Sequence, residues 1–412
     1  MNTINKRFLE ALKASLQKEN IAWTDMSKND WWELFRLADS QCVLPMVYQA
    51  VYNCPAAREQ SDLIKTYFEK VSKQVARQVM KTAEFLQIYQ SLCRKGVKPL
   101  VVKGLICRNL YPFPDQRPST DEDVFILPEN FWICHKLFMN FGMHLVEENP
   151  DVSLEHEVAY WKDNTQLYIE LHKNLFPPES DAYGDFNRFF EGAHESAVVE
   201  TIHGVSVYTL NTTDHLFYLI CHAFKHFLGS GFGIRQVCDI TLYANQYGKE
   251  INWNLLIERC KEICAERFVA TIFKIGEKYL TFHPEEACYP NILRDLAMDE
   301  EELLQDMLEG GVLGNSNLSR IHSSNITLHA VVANRRGKEA RGMLLKTIFP
   351  SRQYLVKWYK YLDKYPFLLP VAWVSRICKY LGEVDKKRND PGAAVQIGTQ
   401  RVELLKKYGV LR

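Results

Sequence analysis

Apolar residues at the start of the chain recur at helical spacing. Phe8, Leu9, Leu12 and Leu16 stand three or four apart with charges between them, which marks an amphipathic helix and not a continuous apolar leader. Trp31, Trp32, Leu34, Phe35 and Ala38 form a second set after Asp30. A longer stretch, Ile64 to Leu92, carries Phe68, Val71, Val75, Val79, Phe85 and Ile88 on a roughly helical repeat and stops before Gly96, a natural helix end. The pattern then shortens. Pro99 to Val102 reads as a buried strand, Lys103-Gly104 as a turn, and Leu105 to Leu110 as a short apolar piece. Tyr111 to Pro118 holds three prolines in eight residues and cannot sustain a regular element. Strand patterns follow at Asp121–Ile126, Met143–Glu147, His156–Trp161, Gln166–His172 and Val205–Tyr208. From Asp214, read as a helix cap, the helical period returns at Leu216–Phe227, 253–281, 299–308 and Val402–Tyr408, while the Gly-, Ser- and Asn-rich stretch 309–330 reads as a loop. The fold class is therefore α+β: a central mixed β-sheet core in 96–210, flanked by an N-terminal helical region, 1–95, and a C-terminal helical region, 211–412.

Composition narrows the function classes. The 412 residues carry 50 Lys plus Arg against 50 Asp plus Glu, a net charge of zero. That removes the global electrostatic basis for nucleic-acid binding. The most membrane-like run, Phe367 to Val374, is far short of the roughly twenty residues a span needs and contains Pro370. No membrane partner is expected. The 11 cysteines form no C-x-x-C pair, which fits a reducing cytoplasm and argues against a zinc ribbon.

The informative chemistry lies at Asp121-Glu122-Asp123. On a strand, Asp121 and Asp123 share a face and Glu122 takes the other. Two carboxylates held close repel each other, and a hard divalent cation relieves the conflict; a solvated strand end is the plain alternative. Arg117, Ser119 and Thr120 just upstream are donors suited to phosphate. Lys103-Gly104, at a strand-to-helix turn, lets backbone approach an anion, although Lys103 reads equally as a solvated lysine. Glu170 and His172 share one face of the strand 166–172. Glu170 either completes a three-carboxylate site or meets a Lys or Arg, and His172 either orients a ligand or is a core histidine. His222 and His226, four apart on a helix, share a face. They lack the glutamate of a metalloprotease, so a structural role, or contact with a nucleotide or acceptor, is preferred over zinc. Arg235 and Asp239 are expected to pair along a helix. Cys260 and Cys264 read as small buried hydrophobes, and Cys107 has no base to make it a nucleophile. The aromatic cluster at 354–373 (Tyr354, Trp358, Tyr359, Tyr361, Tyr365, Phe367, Trp373), with Lys357, Lys360 and Lys364 between, fits helix packing better than a stacking surface for single strands or sugars.

Strand, Lys103-Gly104, short helix, Arg117, Asp121-x-Asp123 and then Glu170-Leu-His172 resemble the nucleotidyltransferase superfamily that includes DNA polymerase β, and more closely the bacterial family of uncharacterised nucleotidyltransferases. That family also carries a helix with spaced histidines ending in Arg and Asp, matched here by His222, His226, Arg235 and Asp239. The resemblance is strongest over 98–240. It departs from the superfamily at the turn, where Gly104-Leu105 replaces Gly-Ser or Gly-Gly, and at Glu122 between the aspartates. What it implies is a two-metal mechanism. Asp121, Asp123 and Glu170 would hold Mg²⁺ or Mn²⁺; Lys103, Gly104, Arg117, Ser119 and Thr120 would face a nucleoside triphosphate; Glu170 would help activate a hydroxyl acceptor; and pyrophosphate would leave. His172, His222, His226, Arg235 and Asp239 would lie behind the ligands or toward the acceptor.

Overall fold

The computed structural model describes residues 1–147, 151–312, 318–336, 352–356, 359–375 and 391–411. Two compact units emerge: Met1–Phe224 with Gly233–Leu308, and Lys225–Phe232 with Glu309–Arg412. The helices between 212 and 308 thus group largely with the sheet. Among the described residues no helix is long and apolar enough to cross a membrane.

The first unit begins with helices α1 (Thr3–Gln17), α2 (Lys28–Ser40), α3 (Leu44–Val51), α4 (Pro55–Arg58) and the 34-residue α5 (Ser61–Arg94). α1 buries Phe8, Leu9, Leu12 and Leu16, as its spacing predicts. α2 starts earlier than the apolar pattern implied. Ser27 caps it in a reciprocal capping box with Asp30, which lies in the first turn. α5 buries Phe85, Ile88, Tyr89 and Leu92 in its second half. Its first half packs on α2 and α3, with Val71 buried and the Tyr67 ring 4.3 Å from Phe35, but Phe68 and Val79, expected on the apolar face, are exposed.

The core sheet has the order β1-β2-β5-β4-β3, with β1 Leu100–Val101, β2 Glu122–Phe125, β3 His144–Leu145, β4 Glu157–Lys162 and β5 Leu167–His172. β2 and β5 run parallel; the other neighbours are antiparallel. The short helix α6 (Gly104–Arg108) follows β1, and α7 (Phe131–Asn140) precedes β3. Val124, Val158, Tyr160, Leu167, Ile169 and Leu171 form the buried face; Phe138 of α7 packs edge-on against Tyr160, ring centres 4.8 Å apart. A separate hairpin, β6 (Val198–Ile202) and β7 (Val205–Thr209), includes a strand the apolar pattern did not reveal, because β6 is largely exposed. Tyr89 joins these parts: its hydroxyl accepts from the Tyr208 N–H (2.7 Å) and donates to the Pro99 carbonyl (3.2 Å).

α8 (Thr212–Leu228) begins two residues before Asp214. The cap is Asn211, whose Oδ1 accepts from the Asp214 N–H at 3.0 Å. α9 (Ile234–Tyr247), α10 (Trp253–Glu262), α11 (Glu266–Tyr279), α12 (Asn291–Leu296) and α13 (Glu300–Gly310) follow. The expected helix over 253–281 is broken in two at Cys264, whose φ is +57°. Cys260 is buried, but Cys264 is exposed and not a core residue.

In the second unit, helix Leu318–Arg335 lies where a loop was expected over 309–330; residues 313–317 are outside the described set. It packs with helix Pro391–Lys407, which is longer than the short terminal helix expected. These helices grip the end of α8 and the loop after it. Arg401 donates to the Phe227 carbonyl (2.6 Å), Arg320 to the Ser230 carbonyl (2.7 Å) and Thr327 to the Gly229 carbonyl (3.1 Å). Of the aromatic cluster, Tyr359 and Trp373 pack on Leu355, Leu362 and Ala372, in keeping with helix packing. Lys357, Trp358 and the side chain of Tyr354 lie outside the described residues.

Candidate active site

Register builds the site. β2 and β5 set Asp123 opposite Glu170 and Phe125 opposite His172; β4 sets Glu157 opposite His172. Because side chains alternate, Asp121, Asp123, Glu170, His172 and Glu157 share the face of the sheet away from its apolar core. His172 Nε2 is 3.4 Å from Asp123 Oδ1 and 3.6 Å from Glu170 Oε2, and its Nδ1 is 3.4 Å from Glu157 Oε2. Lys103 enters from the turn after β1. Its Nζ stands 2.8 Å from Asp123 Oδ2, 3.7 Å from Asp121 Oδ2 and 3.5 Å from His222 Nε2 on α8. Lys103 has φ +134°, a backbone conformation that costs a non-glycine residue about 1–3 kcal/mol. Gln236 of α9 stands 3.1 Å from the other nitrogen of His222.

Charge decides the protonation states. Burial opposes the Lys103 ammonium, but Asp121 and Asp123 outweigh it and hold the amine well above its usual range. Burial likewise opposes an imidazolium at His172, yet Asp123 and Glu170 raise it to about 10. Asp123 overcomes its own burial through Lys103 and His172 and is held down. Glu170 is pushed up by burial, with Asp123 and Asp121 adding to the effect against His172. Without a metal, then, two cations stand among the carboxylates.

The donor set fits a metal ion. Asp123, Glu170 and His172 each offer one ligand atom, all within 4.8 Å of one another. Both ring nitrogens of His172 and Asp123 Oδ2 are buried without an aligned hydrogen bond, so the Lys103–Asp123 contact is an ion pair by distance only. Atoms without an aligned bond occur elsewhere too, at Arg108 Nη1 and Arg117 Nη1 among others, but here three of them gather among facing charges. Two carboxylates suit a hard divalent cation, and an imidazole is a ligand of softer ones. Asp121 lies at the rim, its side chain 22% exposed.

The residues expected to meet phosphate have other partners. Arg117 is 1% exposed, and its guanidinium grips Asp239 through two bonds, Nε to Oδ1 (2.7 Å) and Nη2 to Oδ2 (2.5 Å); the Tyr111 hydroxyl donates to the same Oδ1 (2.7 Å). The expected Arg235–Asp239 pair is therefore replaced, because tertiary packing brings Arg117 to Asp239 and sends Arg235 to the Pro118 carbonyl (2.5 Å). Ser119 donates its hydroxyl to the Asp121 carbonyl (2.7 Å) and its N–H to Gln78 (2.9 Å). The Ser119 and Thr120 carbonyls accept from Lys81 at 3.3 and 3.4 Å. These contacts hold the proline-rich loop and fix where β2 begins. Glu122 points away from Asp123, as alternation requires. It accepts from the Leu105 N–H (2.9 Å) and pairs with Arg108 (2.6 Å). Gly104 is needed for that contact: a Cβ there would lie 2.2 Å from Glu122 Oε2.

His222 is at the cluster, whereas His226, one turn on, belongs to the second unit. Cys107 is fully buried and its thiol is pushed up by burial, which leaves it inert. Sequence reasoning missed Lys81, Gln78, Tyr218 and Glu157. Tyr218, one helical turn before His222, is buried, and burial together with the charge of Asp123 pushes its phenol up. Only Glu157 had a readable signal, an acid in step with Ala159 and Trp161 on a predicted strand. A groove of about 230 Å³ runs past Glu157 and Tyr168, with Glu147 and Glu155 on its walls.

A family profile described as uncharacterised nucleotidyltransferase matches residues 27–281, more than half of the chain and all of the site just described. The chain belongs to that family. Neither a curated protein nor a solved structure matches it.

Proposed function

We propose that this nucleotidyltransferase family member transfers a nucleoside monophosphate from a nucleoside triphosphate to a hydroxyl acceptor, aided by Mg²⁺ or Mn²⁺. The observation that carries this reading is the cluster of Asp123, Glu170 and His172, with ligand atoms within 4.8 Å and buried atoms that lack hydrogen bonds. Asp123, Glu170 and His172 would hold the cation, with Asp121 at the rim on the triphosphate side. A divalent ion there would supply charge neutralisation for the attacking and leaving oxygens. The hydroxyl oxygen bonds to the α-phosphorus, the bond to the β-phosphate oxygen breaks, and pyrophosphate leaves. Glu170 takes the hydroxyl proton. Lys103 keeps positive charge between Asp121 and Asp123, and His222 steadies its ammonium. The groove beside Glu157 and Tyr168 has room for a small acceptor.

One observation favours a second reading, a nucleotide-binding module without transfer: the Glu122 carboxylate fills the turn where the wider superfamily places a small residue beside the phosphate. Thermal unfolding with each of the four ribonucleoside triphosphates, with and without Mg²⁺, tests binding. At a hundred times its dissociation constant the right nucleotide stabilises the fold by about 2.7 kcal/mol, and Asp123→Ala abolishes the Mg²⁺-dependent part. No shift with any nucleotide overturns both readings. Pyrophosphate release on adding acceptors separates transfer from binding.

A further inference from the structure

A triphosphate at this cluster needs cations for its β- and γ-phosphates, and the obvious donors are spent. At the turn into α6, Glu122 Oε2 already accepts from the Leu105 N–H, and there is no room beside Gly104. Arg117 is closed onto Asp239, and Ser119 gives its hydroxyl to the Asp121 carbonyl and its N–H to Gln78 of α5. Lys103 is shared between Asp121 and Asp123.

Lys81 differs from all of these. It reaches from α5 to the Ser119 and Thr120 carbonyls, next to Asp121, through long bonds of 3.3 and 3.4 Å. Among the described residues no carboxylate lies within ion-pair distance of its ammonium. Lys73 and Arg77 stand eight and four residues before it, so the three cations share one face of α5. Lys73 and Arg77 are exposed, Lys81 half-buried. Arg77 is near enough to act on Lys81 electrostatically, as are Asp121 and Glu122 from the sheet side. The row therefore runs from solvent to the rim carboxylate.

We propose that Lys81 and Arg77 of α5 are the binding site for the β- and γ-phosphates of the donor, in place of the turn at Lys103-Gly104. This rests on the reading of the site as a nucleotidyltransferase centre. Cations outside the metal cluster give the polyphosphate a seat that does not compete with Glu122, and Lys73 extends it toward incoming anions.

The test titrates full-length protein containing Mn²⁺ with a fluorescent ATP analogue and with AMP, and measures Mn²⁺ affinity separately by its electron spin resonance signal. Arg77→Met, at an exposed position, and Lys81→Met are each expected to weaken the triphosphate about tenfold or more. Mn²⁺ and AMP affinities should change less than about twofold, since neither ligand has a β- or γ-phosphate. Arg77→Met keeps the question answerable if Lys81→Met loosens the loop. Wild-type binding of the triphosphate that both variants retain overturns the inference and leaves the proposed function standing. Equal weakening of AMP and triphosphate also overturns it. A wild type that binds Mn²⁺ but no nucleoside triphosphate overturns the proposed function and this inference together.

Discussion

Glu122 and Asp123 are neighbours on β2, both 2% exposed, and they live in opposite electrostatic worlds. Both oxygens of Glu122 are satisfied, one by the Arg108 guanidinium at 2.6 Å and one by the Leu105 N–H at 2.9 Å. Asp123 faces Lys103 and His172 at 2.8 and 3.4 Å, and its Oδ2 has no aligned hydrogen bond. A closed pair holds shape; an open cluster of charges holds capacity for a ligand. In the Arg117–Asp239–Tyr111 network the carboxylate is likewise satisfied, and the network anchors the loop that leads into the open cluster. The strand is thus a boundary, with scaffold on one side and chemistry on the other.

The largest test of this contrast compares the two acids directly. Glu122→Ala strands the Arg108 guanidinium in the interior and should cost about 3–5 kcal/mol, read by denaturant unfolding. Asp123→Asn keeps the shape and leaves Lys103 its contact with Asp121, so it should cost clearly less stability while removing Mn²⁺ binding. A reversed order would mean that Asp123 is the structural member. A smaller effect is expected at Gly104. Gly104→Ala drives a methyl into Glu122 Oε2 and should cost about 1–3 kcal/mol as an overpacked site, with Mn²⁺ affinity little changed. A neutral result would show that the Glu122 contact is loose. The smallest effect concerns a closed carboxylate whose partners reach into water. Burial alone would raise Glu300, but Lys278 and Lys274 at 2.5 and 2.9 Å bring it down to about 2. Its folded value lies below its unfolded value, so its stabilisation is complete above about pH 4.5 and fades as the pH falls toward 2. Both lysines are about half exposed, so salt should weaken the effect. In Glu300→Gln the acid limb of the stability profile should be shallower; an unchanged limb would remove Glu300 from the account.

The positions of Asp121, Asp123, Glu170 and His172 along the chain, and their parity on two strands, were readable because strand alternation is a local rule. The buried helix faces of α1 and the second half of α5 were readable for the same reason. What could not be read is which carboxylate meets which cation. Asp239 lies four residues from Arg235 on α9, the spacing of a helix pair, yet it binds Arg117 from 122 positions away, because a buried bidentate contact outweighs a solvated one. The missed strand β6 and the exposed Phe68 and Val79 of α5 share one cause: their surroundings are set by other segments, not by their own periodicity.

By itself the sequence determined the α+β order of elements, the acid pair on one strand face and the acid–histidine pair on another, since these follow from side-chain period and turn chemistry within a few residues. Only the tertiary structure decided that Lys103 and His172 complete the open cluster, that Glu122 closes the turn beside Gly104, and that Arg117 serves Asp239. Those outcomes depend on parallel pairing of β2 with β5 and on α5, α8 and α9 arriving from distant parts of the chain. Desolvation then makes each buried charge choose the partner that long-range packing delivers.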